Sequence, residues 1–401
     1  MKTLDLAKPL LQGTPRASWR DSLDRLLDRW MTSETVYRWA AGNPLTRWMV
    51  QRRAQQVFDL MAGFVYSQVL LACVRLRIFE LVAQSPRSLD ELAQKCQVPA
   101  SALQRLLESA KALRLLEQRS EAKYGLGALG APVAGHAGIR AMIEHHAVLY
   151  QDMQDPVALL RDQLPKGGAM AEYWPYAANE AAQAGPGNAQ AQRQWQPDMV
   201  SRYSDLMSAS QPFVVDEVLA TYPFEQHRCS LDVGGGQGTF VSKLARHAPD
   251  LKLRLFDLPQ VADLARDNFA KQGLTHRVEA FGGDFLRDAL PQGADLVTLI
   301  RVAHDHSDAD VKTLLGAIFR ALPLGGTLLL AEPMAQAQDQ APLGDAYFHF
   351  YLLAMGSGRL RTAQELMDMM TEAGFSHIEA VPNPMPLQTR ILVGRKSRDL
   401  P

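Results

Sequence analysis

The chain has 401 residues, with 47% hydrophobic and 21% charged residues, the profile of an ordinary globular protein with one large domain and smaller ones. Its net charge of −1 supplies no overall field to draw in nucleic acid or an anionic membrane. Cys73, Cys96 and Cys229 are scattered and odd in number, and the N-terminus has no signal-like apolar core. Together these point to a reducing, cytoplasmic setting without a zinc site.

Residues 1–55 set Arg16, Arg20, Arg25, Arg29, Arg38, Arg47, Arg52 and Arg53 among Leu23, Leu26, Leu27, Trp30, Trp39 and Trp48. This predicts short amphipathic helices broken near Asn43-Pro44, an arm that packs on the body or on a partner subunit. Basic and aromatic residues on the same helices also suit peripheral contact with a membrane surface. The longest apolar run, Met61 to Val74, is interrupted by Ser67 and Gln68 and closed by Arg75. By itself that run is too short to cross a bilayer.

Residues 56–135 predict a winged helix-turn-helix. One buried-type helix carries Phe58, Met61, Val65, Val69, Leu70 and Cys73. Ser88-Leu89-Asp90-Glu91 is a capping box that opens a second. Pro99 starts a third, with Leu103, Leu106, Leu107 and Leu113, and Leu115–Gln118 pairs with Lys123–Leu126 as a wing. Binding to DNA needs a basic face. The third helix offers only Arg105 and Lys111 with Glu108 between them, so a scaffold or dimerisation module fits better than a nucleic-acid partner.

Residues 136–225 predict mostly helix, with a loose Gly/Ala/Gln/Pro stretch from Glu180 to Pro197 of the kind that covers pockets. Tyr203, Leu206, Met207 and Ser210 then recur at helical spacing. Such a stripe is plain core or, just ahead of a cofactor domain, the lining of a pocket for an apolar small molecule.

Residues 226–398 predict a doubly wound α/β domain. Its first unit reads C-S-L-D-V-G-G-G-Q-G-T-F-V-S-K-L-A-R-H-A-P-D-L-K-L-R-L-F-D-L-P from Cys229 to Pro259. An apolar strand enters a glycine cluster, a helix follows, and a second strand ends on Asp257. That is the layout of a nucleoside site, with an acid about 20 residues after the glycines to accept from ribose hydroxyls. Gly234, Gly236 and Gly238 make G-x-G-x-G behind Asp232, a spacing that resembles the first motif of class I S-adenosylmethionine (SAM) methyltransferases. An acid beside the glycines suits a ligand bearing an ammonium group better than one bearing a pyrophosphate. Val278–Phe281 is the next strand, followed by Gly282-Gly283-Asp284-Phe285. Asp284 there either accepts from an adenine amino group or sits in a solvated turn.

The strand Asp295–Val302 delivers Arg301, His304, Asp305 and His306, and the strand Thr327–Ala331 delivers Glu332. Residues just past the carboxyl ends of such strands face the ligand crevice. His304 is therefore placed to take a proton from an acceptor hydroxyl, with a carboxylate at Glu332 to orient it. Asp305, His306 and Asp308 do not share a face, and no metal site is expected. A helix (Asp308–Leu322), a helix (Thr362–Ala373) and two last strands (Ile378–Val381, Thr389–Val393) close the domain.

L-D-V-G-G-G-Q-G, F-D-L-P, G-G-D-F, R-V-A-H-D-H and A-E-P resemble the successive motifs of the plant-type SAM-dependent O-methyltransferases over roughly residues 56–395. The resemblance implies a class I Rossmann-like sheet, mostly parallel with an antiparallel last strand, behind a winged-helix dimerisation domain, and a homodimer. It implies SAM contacts at Asp232, Gly234, Gly236, Gly238, Asp257, Leu258, Asp284, Phe285 and Arg301, with His304 as base and Glu332 orienting it. Two departures stand out. His306 occupies a position where the family has Trp. The family's R-E-R-T, whose Glu flanks the base, reads Arg359-Leu360-Arg361-Thr362, which leaves one flanking carboxylate.

N-P-L-T-R-W-M-V-Q-R-R-A and F-D-L-M-A-G-F-V-Y-S-Q-V-L-L-A-C-V-R-L further resemble the hydroxycarotenoid O-methyltransferases of purple photosynthetic bacteria. That likeness implies methylation of a tertiary hydroxyl on an acyclic carotenoid and a place at the photosynthetic membrane. It fits Phe348, Phe350, Tyr351, Leu352, Leu353 and Met355 as an apolar lining, together with Tyr203 and Met207, although a core helix has the same pattern. Two other readings stay open: methylation of a phenolic or polyketide metabolite, and a winged-helix regulator that binds SAM as an effector.

Overall fold

A computed structural model describes residues 19–165, 168–173, 212–335, 343–384 and 389–397. The stretch Glu180–Pro197 and the stripe Tyr203, Leu206, Met207 and Ser210 lie outside the described residues. The chain divides into two units, Met1–Ala72 and Cys73–Pro401.

The first unit is helical, with α1 (Trp19–Met31), α2 (Glu34–Gly42) and the start of α3 (Arg47–Arg75). The break at Asn43-Pro44 has a local cause. Pro44 has no N–H to donate, and the Asn43 side chain accepts from the Leu45 N–H at 3.0 Å, a turn that Asn favours. Trp30, Trp39 and Trp48 are each more than half exposed on this chain. The run Met61–Val74 is continued upstream into α3, whose 29 residues are long and apolar enough to cross a membrane by length and composition. The length argument against a span therefore does not hold for the helix as a whole.

The second unit begins with α4 (Ile78–Gln84), α5 (Leu89–Cys96) and α6 (Ala100–Ala112). At the head of α5, Ser88 Oγ accepts from the Glu91 N–H at 3.3 Å and Glu91 accepts from the Ser88 N–H at 2.7 Å, the expected capping box. A hairpin of β1 (Leu116–Gln118) and β2 (Tyr124–Leu126) follows, Leu116 opposite Leu126. Phe79, Leu92, Leu103 and Leu107 are fully buried in this module. Short helices continue through α7 (Gly130–Gly135), α8 (Ala137–Asp152), α9 (Pro156–Leu160), α10 (Ala169–Tyr173) and α11 (Pro212–Thr221).

The described residues then alternate strand and helix: β3 (Cys229–Val233), α12 (Thr239–His247), β4 (Lys252–Asp257), α13 (Pro259–Lys271), β5 (Val278–Gly282), β6 (Leu296–Ile300), α14 (Asp308–Ala321) and β7 (Thr327–Glu332). After β8 (Met334–Ala335) come α15 (Leu343–Met355), β9 (Arg361–Thr362), α16 (Ala363–Glu372), β10 (Ser376–Val381) and β11 (Arg390–Arg395). Seven strands form one sheet in the order β10-β11-β7-β6-β3-β4-β5. All pairs are parallel except those of β11, which runs antiparallel to β7 and β10. This is the mostly parallel sheet with an antiparallel last strand that the sequence implies.

Every residue of β6 and β7 is buried, as expected of strands covered on both faces. Alternation sorts their side chains. Leu328 and Leu330 pack with Val297 and Leu299 under Val311 and Ile318 of α14 and Met370 of α16. Leu329 and Ala331 face the other way, toward Val215 of α11 and Phe240 and Leu244 of α12. Each fully buried leucine contributes roughly 1.5–3 kcal/mol by leaving water. The order reverses beside β3, which has β4 on one side and β6 on the other. A crevice therefore opens at the carboxyl ends of these strands.

Candidate active site

The glycine loop leaves β3 on one side of that crevice. Gly236 has φ +58°, and a Cβ there would point into open space, so the backbone is bare where a ligand can approach. Its N–H donates to Asp257 Oδ2 at 2.8 Å, and the Leu258 N–H donates to Asp257 Oδ1 at 2.7 Å. Carboxylate oxygens only accept, which is the chemistry a ligand hydroxyl needs. Asp232, 3% exposed, accepts from the Thr298 hydroxyl at 2.6 Å. Burial pushes its carboxyl up to about 7, and the charge of Asp257 adds to the rise. A bound ammonium group would reverse that, so this end of the loop suits a cation.

The loop after β5 closes the crevice from the next strand. Asp257 O accepts from the Gly283 N–H at 2.9 Å. Asp284 Oδ1 accepts from the Leu286 N–H at 2.9 Å, and Arg287 Nε lies 3.5 Å from its Oδ2. Asp284 is thus part of a tight turn while lying at the crevice edge. Phe285 meets the ring of His306 edge-on at 5.3 Å. Burial pushes the His306 imidazole down to about 4, so a neutral ring braces Phe285 where the family's tryptophan is expected.

A 3₁₀ turn, Ala303–Asp305, leaves β6 on the other side of the crevice. Arg301 enters it in a left-handed conformation, φ +56°, its N–H donating to Ala331 O at 2.8 Å. Glu332, at the end of β7 and 1% exposed, holds the turn. Its Oε1 accepts from the Val302 and Ala303 N–H groups, each at 2.8 Å, and its Oε2 lies 2.5 Å from His304 Nδ1. A carboxylate there requires the hydrogen on Nδ1, which makes Nε2 the atom that can take a proton.

The expectation of a single flanking carboxylate needs correction. Leu360 does remove one, but Asp305 Oδ1 lies 3.2 Å from His304 Nε2. Two carboxyl groups therefore flank the ring, one at each nitrogen. Burial works to lower the His304 value, and the charges of Asp305 and Glu332 overcome it, so the net direction is upward. Burial raises Asp305 to about 6 against the pull of His304. The signal for Asp305 was its adjacency to His304: a 3₁₀ turn returns the carboxylate to the preceding ring.

In a separate cluster, Tyr351, Leu352 and Met355 of α15 are buried with Leu159, Met170 and Leu360, and Phe348 packs against them. The predicted Phe348, Tyr351 and Met355 therefore belong to one apolar cluster, while Tyr203 and Met207 fall outside the described residues. The cluster also contains polar pairs that the sequence reading missed. His146 Nε2 lies 2.7 Å from the Tyr347 hydroxyl, and His145 Nε2 lies 3.1 Å from that of Tyr351. Burial pushes His145 down to about 4. No motif spacing links residues on α8 and α15, so nothing in the sequence marks these pairs. Among the described residues, no group of three His, Cys, Asp or Glu side chains is placed to hold a metal ion.

The profile of an O-methyltransferase domain matches residues 158–376, and that of an O-methyltransferase dimerisation domain matches residues 58–132. The chain is 37% identical to the demethylspheroidene O-methyltransferase of Cereibacter sphaeroides, over 89% of this chain and 91% of that one. It is 35% identical to the enzyme of the same name from Rhodobacter capsulatus, over 96% of this chain and 93% of that one. The crystal structure of human N-acetylserotonin methyltransferase in complex with SAM shares the fold, with a TM-score of 0.69 and 22% identity over 86% of this chain and 98% of that one. A dimerisation module ahead of a class I sheet, a nucleoside crevice and these matches place the chain in the plant-type SAM-dependent O-methyltransferase family.

Proposed function

We propose that this enzyme methylates the tertiary hydroxyl of an acyclic hydroxycarotenoid, with His304 as general base and Glu332 orienting it. The 2.5 Å contact between His304 Nδ1 and Glu332 Oε2 in a buried turn carries the chemistry. Identity of 35–37% to two demethylspheroidene O-methyltransferases supports the acceptor class. The apolar cluster around Phe348, Tyr351, Met355 and Leu360 suits a greasy chain.

SAM supplies an electrophilic methyl carbon on a sulfonium. In this reading Asp232 faces its ammonium end, the Gly234–Gly238 loop lies along it, Asp257 and Leu258 receive the ribose, and Asp284, Phe285 and Arg301 flank the adenine side. The acceptor hydroxyl displaces Asp305 from His304 Nε2. A tertiary alcohol is far less acidic than a phenol, for which the tyrosine value of about 10 is a guide. Its proton therefore passes to Nε2 as its oxygen bonds to the methyl carbon and the C–S electron pair returns to sulfur. Proximity and alignment supply much of the acceleration.

In the same reading, residues 1–55 are an arm, 56–135 the dimerisation module of a homodimer, 136–225 the region that serves the acceptor, with Tyr203 and Met207 among its contacts, and 226–398 the SAM domain. Nucleic acid is not a partner. Lys111 of α6 is paired with Glu108 at 2.8 Å, which leaves Arg105 as the one basic residue of that helix without an acidic partner among the described residues, too little for a phosphate-binding face. The exposed Trp30, Trp39 and Trp48 among arginines suit a cytoplasmic protein lying peripherally on the membrane that holds the pigment. Deleting residues 1–55 is then expected to lower the membrane-pelleted fraction, and an unchanged fraction would remove the membrane part of the reading.

Purified protein incubated with radiolabelled SAM, extracted hydroxycarotenoids and a panel of phenols tests the acceptor. Label in the carotenoid fraction is expected. Label only in phenols would keep the fold and the base and overturn the carotenoid assignment. No label in either pool, together with a salt-sensitive shift of DNA, would point instead to a regulator.

A further inference from the structure

We infer that Arg361 is a positioning residue for the base: it grips the His304 turn by its carbonyls while Glu332 grips the same turn by its N–H groups. Arg361 Nη1 donates to Ala303 O at 2.7 Å and Nη2 to His306 O at 2.8 Å. These carbonyls bracket His304. Nε and Nη2 also donate to Asp308 Oδ1, at 2.9 and 2.7 Å. The side chain is 1% exposed, although Asp308 is 47% exposed. A guanidinium that deeply buried is costly unless its fork of donors is fully used. Here the fork is spent on two turn carbonyls, the Arg359 carbonyl at 3.4 Å and one anchor.

The backbone makes this a frame rather than a chance contact. β9 begins at Arg361 and pairs in parallel with β8, Met334 opposite Arg361, two residues after Glu332. The strand that carries Arg361 is therefore zipped to the short strand that follows Glu332. Gly358, φ +74°, lets the approach to β9 pass against the turn, because a Cβ there would come within 2.1 Å of His304 O. Arg359 holds the anchor from the other side: its Nε and Nη2 donate to the Asp308 oxygens at 2.9 Å each, and its Nη1 donates to Glu365 at 2.9 Å. The segment that lost the family's flanking glutamate thus still acts on the base, through its arginines. The inference rests on the reading of His304 as that base.

The test uses full-length Arg361→Lys and Asp308→Asn, the second a change at a half-exposed carboxylate that keeps the protein foldable if the first does not. Lysine keeps the charge but cannot bridge two carbonyls and the anchor. The readouts are thermal unfolding, SAM affinity by calorimetry, and titration of the His304 ring by NMR in histidine-labelled protein, assigned by difference from His304→Ala. With the turn loosened, the Nδ1–Glu332 contact weakens and His304 is expected to titrate at lower pH, with SAM affinity retained. With hydroxycarotenoid as acceptor, kcat is expected to fall about 10- to 100-fold at little change in KM. An unmoved His304 titration in the folded variants would overturn the inference and leave Arg361 as packing alone. Titration and SAM affinity need no acceptor, so a wrong carotenoid assignment leaves the test intact. Full turnover by His304→Ala would remove the base reading separately.

Discussion

The crevice around the glycine loop and the His304 turn, and the apolar cluster of α8 and α15, are held by different kinds of hydrogen bond. In the crevice, polar groups sit at the ends of buried strands, and backbone N–H groups hold two of its carboxylates. Asp257 takes the N–H of Gly236 and Glu332 takes those of Val302 and Ala303. In the apolar cluster, side chains from separate helices satisfy each other, as in the pairs His145–Tyr351 and His146–Tyr347. Backbone donors keep their positions when a neighbouring side chain changes, whereas side-chain pairs change together. On the proposed reading, the backbone-held crevice would serve one invariant co-substrate, and the side-chain-held cluster is where substitutions would reshape acceptor choice.

The largest effect should come at the His304 turn. His304→Ala is expected to lower turnover about 10²- to 10⁴-fold with SAM affinity nearly intact. Full turnover in that variant would mean that alignment alone suffices. Next in size, Glu332→Gln removes the charge that holds Nδ1 and is expected to reduce kcat and shift the acid limb of its pH profile. The sign follows from the raised His304 value. Activity needs the neutral ring, so it rises with pH through that raised value, and loss of a carboxylate moves the rise to lower pH. The stabilising part is opposite in sense: it is full below the unfolded-state value and fades as pH climbs through the folded one. A limb that stays in place would show that Glu332 acts on geometry alone.

Asp232 sharpens the crevice side. Its carboxyl lies near 7 when no cation faces it, and an ammonium group would bring it down. SAM binding below pH 7 should therefore release protons, measured by calorimetry in buffers of different ionisation enthalpy, and Asp232→Asn should bind more weakly with no such release. Equal proton release by both proteins would place the ammonium elsewhere. The smallest effect is expected in the apolar cluster. Tyr351→Phe removes the hydroxyl that contacts His145 and should cost about 0.5–1.5 kcal/mol of stability. It should raise the acceptor KM while SAM affinity stays constant. A change in SAM affinity of comparable size would break the division between crevice and cluster.

Much of this was legible before any coordinates. The strand–glycine–helix–strand period, Asp257, and the strand ends that deliver His304 and Glu332 follow from local patterning, because parallel strands and their helices are each continuous in sequence. The capping box at Ser88 and the break at Asn43-Pro44 are equally local. Tertiary structure alone decided the state of the base and the shape of its surroundings. Asp305 at Nε2 depends on how a 3₁₀ turn folds back. Arg361 reaches Ala303 and His306 only because β9 zips to β8. The His–Tyr pairs join helices some 200 residues apart, at separations of 201 and 206. Local periodicity carries no record of which distant side chains will share a burial site, and burial is what sets proton affinities and makes a buried arginine worth keeping.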